Sequence, residues 1–355
     1  MYITASPGLG QPTFTAAEQS TVQGLIGQAI RNENALTNRV FADRHPQLKG
    51  KALTSGTASS REWVAIRDGL VRPALAAVPI TIIPSRLCCI LAPEIPVGGS
   101  NIVDPASLGT HRDATEDNGI IYTGRAGFVD LGHAREECDL TEFVWTRLQG
   151  SGGAPTTIPT VQGEAKIVHP VPRQHWPQVA AAIAFDDGLG HEIFTYDLKG
   201  IPGGHNSAFS PDDLCSNFLG TLIARWAIGR GGPFNAQVTA LLTRVLKALR
   251  AQTPAETGKA FDAVKGRWIA FAGPSSVRAN DYLRRRNFSR RPFKAGHKSD
   301  AATPGWLLGS FGSASSFYTY SHTLQTTIAK AAFSAKIQAI RADAKTLYGN
   351  DFDKP

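Results

Sequence analysis

The stretch Asn118–Asp139, NGIIYTGRAGFVDLGHAREECD, narrows the folds open to this chain more than any other part of it. A short β-like run leads through a glycine hinge into a helix, predicted over about residues 129–148. Near the start of that helix stand Asp130 and His133. Positions three apart are neighbours on a helix surface, so this carboxylate and imidazole share a face. Two later stretches repeat the same chemical content: Asp187–Asp197 (DGLGHEIFTYD) and Ser210–Gly220 (SPDDLCSNFLG). The three together read as one site.

With 355 residues the chain can bury a large core and divide into two or three substructures. Apolar residues make up 42% and charged residues 19%, a balance that excludes a disordered chain. The net charge of +8 points to an anionic partner or surface, but bears on encounter rather than on fold. No basic stretch followed by an apolar one opens the sequence, so no secretory signal is visible. Export by a route that reads no cleavable signal stays open, as does a cytoplasmic setting. The most apolar stretch, Ala74–Ile83, contains a proline and is too short to cross a bilayer.

Taken in order, an extended arm (residues 1–15) precedes a helix over Ala16–Arg31. A second helix starts at Ser59 or Ser60, where Ser59 and Glu62 have capping-box spacing, and stops at Pro73. Pro79–Leu91 reads as a buried strand, and residues 92–117 as a long loop holding His111, Arg112 and Asp113. After the focal helix, residues 150–163 (GSGGAPTTIPTVQG) read as a flexible connector. Trp176–Leu198 is a long helix that Gly188 and Gly190 weaken. The next helix has Ser210 as N-cap, Pro211 at its first position and Asp212–Asp213 in its first turn. Asn235–Gln252 forms another helix, Thr253-Pro254 caps a further one, and Ser321–Tyr348 is an amphipathic tail helix.

The fold class expected is therefore mainly α with a few short strands (α+β). A compact multi-helix core (residues 79–300) would carry the site. An N-terminal helical region (1–78), suited to delivery or docking, and a C-terminal helical extension (301–355) packed on the core would flank it.

Several chemistries fit the motifs. Asp130 can orient His133, or both can bind a metal; Asp130 as a helix cap beside a buried histidine explains the pair equally. Asp187 and His191 share a helical face, with Glu192 adjacent. His191-Glu192 does not complete a zincin motif, because the position that needs a second histidine is Thr195. Asp213 suits a helix start on dipole grounds alone, whereas Asn217, one turn on, is harder to explain as packing. Cys215 lies near the same helix start, where the dipole lowers a thiol pKa, and with His133 it outlines a permuted papain-like pair. The vicinal Cys88–Cys89 pair reads as two buried thiols, a disulfide or a reactive thiol. Four cysteines in irregular positions form neither a disulfide scaffold nor a zinc motif. Residues 278–298 hold eight basic residues against one acid, with aromatics interleaved. They could meet phosphate, but no nucleic-acid recognition fold surrounds them, and specific nucleic-acid binding is not expected. No P-loop and no nucleophile elbow is present in the sequence.

The runs SRLCCILA, GTHR, EDNGIIYTGRAGFVDLGHAREECDLTEF, GHEIFTYD and SAFSPDDLCSNFLGT resemble, in order and spacing, a bacterial family known as domain of unknown function 4056. The resemblance covers roughly residues 80–290. Members often look like envelope lipoproteins, which implies a periplasmic or surface setting. Cys88–Cys89, Asp130, His133, Arg135, Asp139, His191, Glu192, Asp213, Ser216 and Asn217 all match the pattern. Cys215 stands at a position not reliably cysteine in the family.

The function expected is a hydrolase acting on an envelope component, lipid or peptidoglycan. His133, Asp130, His191, Glu192 and Asp213 would do the chemistry, and Arg135 and Asn217 would bind substrate. A divalent metal such as zinc, held by His133, His191 and Asp213, would activate water; without one, a His–acid pair would act as general base. Two alternatives stand beside it. One is a thiol hydrolase or acyltransferase using Cys215, Cys88 or Cys89. The other is a non-enzymatic envelope-binding scaffold or secreted effector, partnered by secretion machinery.

Overall fold

The computed structural model describes residues 102–111, 118–160, 162–197, 208–264, 267–268, 285–322 and 328–348. The expected N-terminal helices, the Pro79–Leu91 strand and the Cys88–Cys89 pair lie outside the described residues. Within them the protein is mainly α with a few short strands, as its sequence predicts.

The focal stretch begins as a hairpin. Strands β1 (Ile120–Thr123) and β2 (Gly127–Asp130) pair antiparallel, with Ile120 opposite Asp130 and Thr123 opposite Gly127. Alternation sends their side chains into two cores. Ile120, Tyr122 and Phe128 meet Phe261 and Trp268 on one face, while Ile121 and Val129 join a second cluster on the other. Gly127 has φ +70°, and a Cβ there would lie 1.7 Å from the Phe293 carbonyl oxygen, so the turn admits glycine alone. Because residues 127–130 pair as a strand, helix α1 starts two residues later than expected, at Leu131, and runs to Gly150.

Helix α1 packs against α2 (Trp176–Asp197) and α3 (Asp213–Arg230), which also touch each other. Their glycines permit this closeness. A Cβ on Gly220 of α3 would lie 2.0 Å from the Ala134 carbonyl oxygen, so α1 and α3 cross backbone to backbone. On α2, a Cβ on Gly188 would lie 2.1 Å from Glu137 Oε1. The glycines that weaken α2 in isolation are what let it approach its neighbours.

Helix α3 starts three residues beyond its predicted cap. Residues 208–212 form tight turns instead, and Asp213 reaches back to the Ser210 N–H at 2.6 Å. Helix α4 (Phe234–Ala248) covers α3 with Val238, Leu241, Leu242, Val245 and Leu246. It stops short of Gln252 because the chain leaves it to pair with β1: the Gln252 N–H reaches the Tyr122 carbonyl at 2.8 Å. Helix α5 (Pro254–Val264) begins as predicted, with Thr253 Oγ1 accepting from the Glu256 N–H.

The stretch expected to be a flexible connector is instead built into a sheet. Strand β3 (Thr157–Pro159) and β4 (Gly163–Ile167) pair antiparallel. Strand β5 (Tyr318–His322) lies antiparallel on β4, with Ala165 opposite Tyr320, and β6 (Ile328–Ala329) follows. Among the described residues, the tail is helical over α6 (Lys330–Tyr348). Its first part alternates buried Tyr318, Tyr320 and His322 with less buried residues, a strand pattern in β-favouring residues. One face of this sheet packs on α2 through Ile158, Ala165, Ile167, Tyr318 and Tyr320.

Candidate metal centre

The start of α1 is pinned to α3. Asp130 is the N-cap: its carboxylate accepts the His133 N–H at 3.1 Å, and its own N–H donates to Ser216 Oγ at 2.9 Å. This places the His133 ring against α3, where Nδ1 lies 2.8 Å from Asn217 Oδ1. A carbonyl oxygen can only accept, so Nδ1 carries the hydrogen and Nε2 keeps its lone pair. Nε2 lies 3.5 Å from Asp213 Oδ1. Glu192, from α2, completes the group: His133, Glu192 and Asp213 each offer an atom within 4.8 Å of the others.

Both carboxylates are held from behind by consecutive backbone donors. The Phe209 N–H donates to Glu192 Oε2 at 2.5 Å, and the Ser210 N–H to Asp213 Oδ2. Phe209 has φ +58°, an uncommon conformation for an aromatic residue that turns both N–H groups toward the site. The basic segment holds this turn in place. Arg286 is buried, donates to the Ala208 carbonyl and lies over the Tyr196 ring. Asn287 donates its backbone N–H to the Phe209 carbonyl and its side-chain amide to the Pro211 carbonyl. These basic-segment residues thus serve the interior rather than a solvated face.

The electrostatics are unusual. Burial pushes the His133 pKa down, and the His191 ring adds to that; Glu192 and Asp212 pull it the other way without prevailing. A charged His133–Asp213 ion pair would need the protonated ring that burial disfavours. At 3.5 Å the contact is also longer than a hydrogen bond. It matches the separation of two ligands that each sit about 2.0–2.2 Å from a common ion. A buried histidine lone pair facing two buried carboxylates is a donor set that could hold a metal ion. The surroundings strengthen it: burial and the neighbouring Asp130 raise Asp212 to about 6. Glu137, one turn beyond His133, is pushed well above its ordinary value by burial and then by Asp187.

Not every expected site residue converges. His191 is half-buried beside the group, its ring 6.3 Å from that of His133, but Glu192 rather than His191 completes the ligand set. Arg135 points elsewhere and donates to the Leu108 carbonyl at 2.5 Å. Asp139 pairs with His111 at 2.9 Å. Cys215 is packed in an apolar cluster with Cys138, and burial raises its thiol to about 12, against the lowering expected from its helix start. Asp187 anchors the sheet, accepting from Thr160 Oγ1, Tyr320 OH and the Gln162 N–H.

Glu137, Gln162, Phe209, Ser210, Arg286 and Asn287 were not expected at the site. Glu137 was findable, since it stands four residues after His133 on one helix. The others come together only through the fold.

A mainly α protein with a buried His/carboxylate centre is what fold and site define. Residues 99–274 match the model of a family described as “Protein of unknown function (DUF4056)”, the family that the motifs resemble. The match begins beyond Cys88–Cys89 and ends short of the basic segment, so it is narrower than the motifs suggest. No curated protein and no solved structure matches the chain. Among the described residues, no helix is long and apolar enough to cross a membrane.

Proposed function

We propose that the protein is a divalent-metal-dependent hydrolase whose ion is held by His133, Glu192 and Asp213. The observation that carries this reading is the orientation of His133: Asn217 fixes the Nδ1–H, so the Nε2 lone pair faces Asp213 Oδ1 at 3.5 Å. Amide or carboxylate support behind a ligating histidine is a recurrent feature of metal sites. The donor set of one imidazole and two carboxylates suits zinc or another first-row divalent ion. When bound, such an ion lowers the pKa of its water toward neutrality and so supplies a nucleophile.

The chain's own residues do the rest. The Phe209 and Ser210 N–H groups hold the outer carboxylate oxygens, which fixes both carboxylates in place without further protein charge. Asp130 fixes the backbone of His133. The substrate class follows from the family resemblance, which points to an envelope lipid or peptidoglycan in an exported setting.

Elemental analysis of protein purified without chelator tests the centre. Stoichiometric zinc or a similar ion is expected in the wild type, with loss of most of it in both His133→Ala and Glu192→Gln. A metal-free wild type whose melting temperature does not move on adding zinc would sink the reading. Chelator-sensitive release of product from phospholipid vesicles or peptidoglycan fragments tests the substrate class.

The near-complete burial of the three ligands favours one second reading, a structural ion in a non-enzymatic envelope-binding scaffold. In that case His133→Ala lowers the melting temperature and the wild type releases no product from either substrate.

A further inference from the structure

Beside the metal triad stands His191, held by a residue from the sheet. We propose that Gln162 is a positioning residue that locks His191 in its Nε2–H form, so that His191 offers an N–H donor to an oxyanion beside the triad rather than serving as a ligand. This rests on the hydrolase reading above and gives His191 a role within it: stabilising the negative oxygen of an acyl or phosphoryl group under attack.

Gln162 Nε2 lies 3.1 Å from His191 Nδ1. An amide nitrogen only donates, so Nδ1 must accept, and a neutral ring then carries its hydrogen on Nε2. His133 is the mirror case, since its Nδ1 gives its hydrogen to Asn217 Oδ1. Two amides thus hold two neighbouring histidines in opposite tautomers, one a lone-pair ligand and the other a donor.

Gln162 is itself firmly placed. It is 1% exposed, and its backbone N–H donates to Asp187 Oδ1 at 2.9 Å. Asp187 is also fixed by Thr160 and Tyr320, so the β3–β4 turn is bolted to α2 one helical turn before His191. Gly190 makes room for the turn: a Cβ there would lie 3.4 Å from Gln162 Cβ and 3.0 Å from His322 Cδ2. His191 is half-buried, whereas His133, Glu192 and Asp213 are all buried, so His191 is the residue of the group most open to solvent. A fixed donor aimed where negative charge develops is among the larger contributions to acyl or phosphoryl transfer.

Nitrogen-15 NMR of the full chain with labelled histidine tests this, the His191 signal being identified by its loss in His191→Gln. The wild type should show an unprotonated Nδ1 and a protonated Nε2 at His191. Gln162→Leu should give a mixture of tautomers, and Gln162→Glu, whose carboxylate accepts, should reverse the assignment. Zinc content should stay at the wild-type level in all three variants. Inorganic phosphate, used as an oxyanion probe, should bind zinc-loaded Gln162→Leu about twofold more weakly, since only part of the ring population then carries the Nε2 hydrogen, and Gln162→Glu more weakly still. A protonated Nδ1 in the wild type, or a tautomer indifferent to both Gln162 variants, overturns the proposal. So does loss of zinc from His191→Gln, which would make His191 a ligand. A wild type without zinc overturns the metal reading instead, and leaves the tautomer to be decided by the nitrogen shifts alone.

Discussion

Around His133 the interior gathers Asp130, Asp212, Asp213, Glu192 and Glu137, all nearly inaccessible. Buried carboxylates persist only where protons, donors or a cation balance them. Backbone N–H groups do this for Glu192 and Asp213, and Ser210 Oγ does it for Asp212 at 2.5 Å. For Glu137, burial and then the neighbouring Asp187 favour the protonated form. Because the fold binds that proton more tightly than the unfolded chain does, the folded state is favoured at low pH. It loses stability as pH rises above the ordinary glutamate value of 4.5. Glu137→Gln, which mimics the protonated acid, should therefore melt like the wild type near pH 4 and at a higher temperature near pH 8. Calorimetry of metal-free protein at the two pH values checks this. A variant less stable at pH 8 would mean that Glu137 is charged and needed there. Glu137 was within reach of helical spacing from His133, but its burial was not, because burial depends on what lies across from α1.

The helices α1, α2 and α3 carry the site because they approach so closely. Gly220→Ala should cost ~1–3 kcal/mol, as overpacking does, and more if the α1–α3 crossing cannot widen. Denaturant unfolding measures it; a neutral outcome would mean that the two helices are not in backbone contact. These elements were the most legible part of the chain, since apolar spacing and polar starts mark α1, α2, α4 and α5 to within a few residues. Errors fell where tertiary pairing competes with local preference. Asp130 ends a strand as well as capping a helix, α4 stops where the chain turns back to β1, and Thr157–Pro159 pairs with β4 although the glycines and threonines of residues 150–163 suggest a linker. The basic segment misleads for a similar reason: charge patterns imply solvent, but Arg286 finds the Ala208 carbonyl and the Tyr196 ring inside.

The molecule as a whole joins distant parts of the chain at one place. Strand β5 belongs to a segment that reads as an extension, yet it lies on β4 and sends Tyr320 to Asp187. A chain ending at Phe317 would leave β4 without this partner and Asp187 without one of its donors. It should lose cooperative unfolding or melt far below the full chain, as followed by circular dichroism. Retention of the full melting temperature would show that the C-terminal segment is a mere appendage.

Sequence by itself determined the mainly α class, the family resemblance, and the choice of Asp130, His133, Glu192, Asp213 and Asn217 as candidates, which the fold brings together. Local periodicity, helix-start chemistry and short motifs are all carried by neighbours along the chain. Tertiary structure alone decided that Glu192 rather than His191 joins His133 and Asp213, that Arg135 and Cys215 stand apart, and that Gln162 enters through the sheet. Those choices depend on a few ångströms between helices. Backbone contact at Gly220, the Phe209 turn and the docking of β4 on β5 set those distances, and no periodicity encodes them.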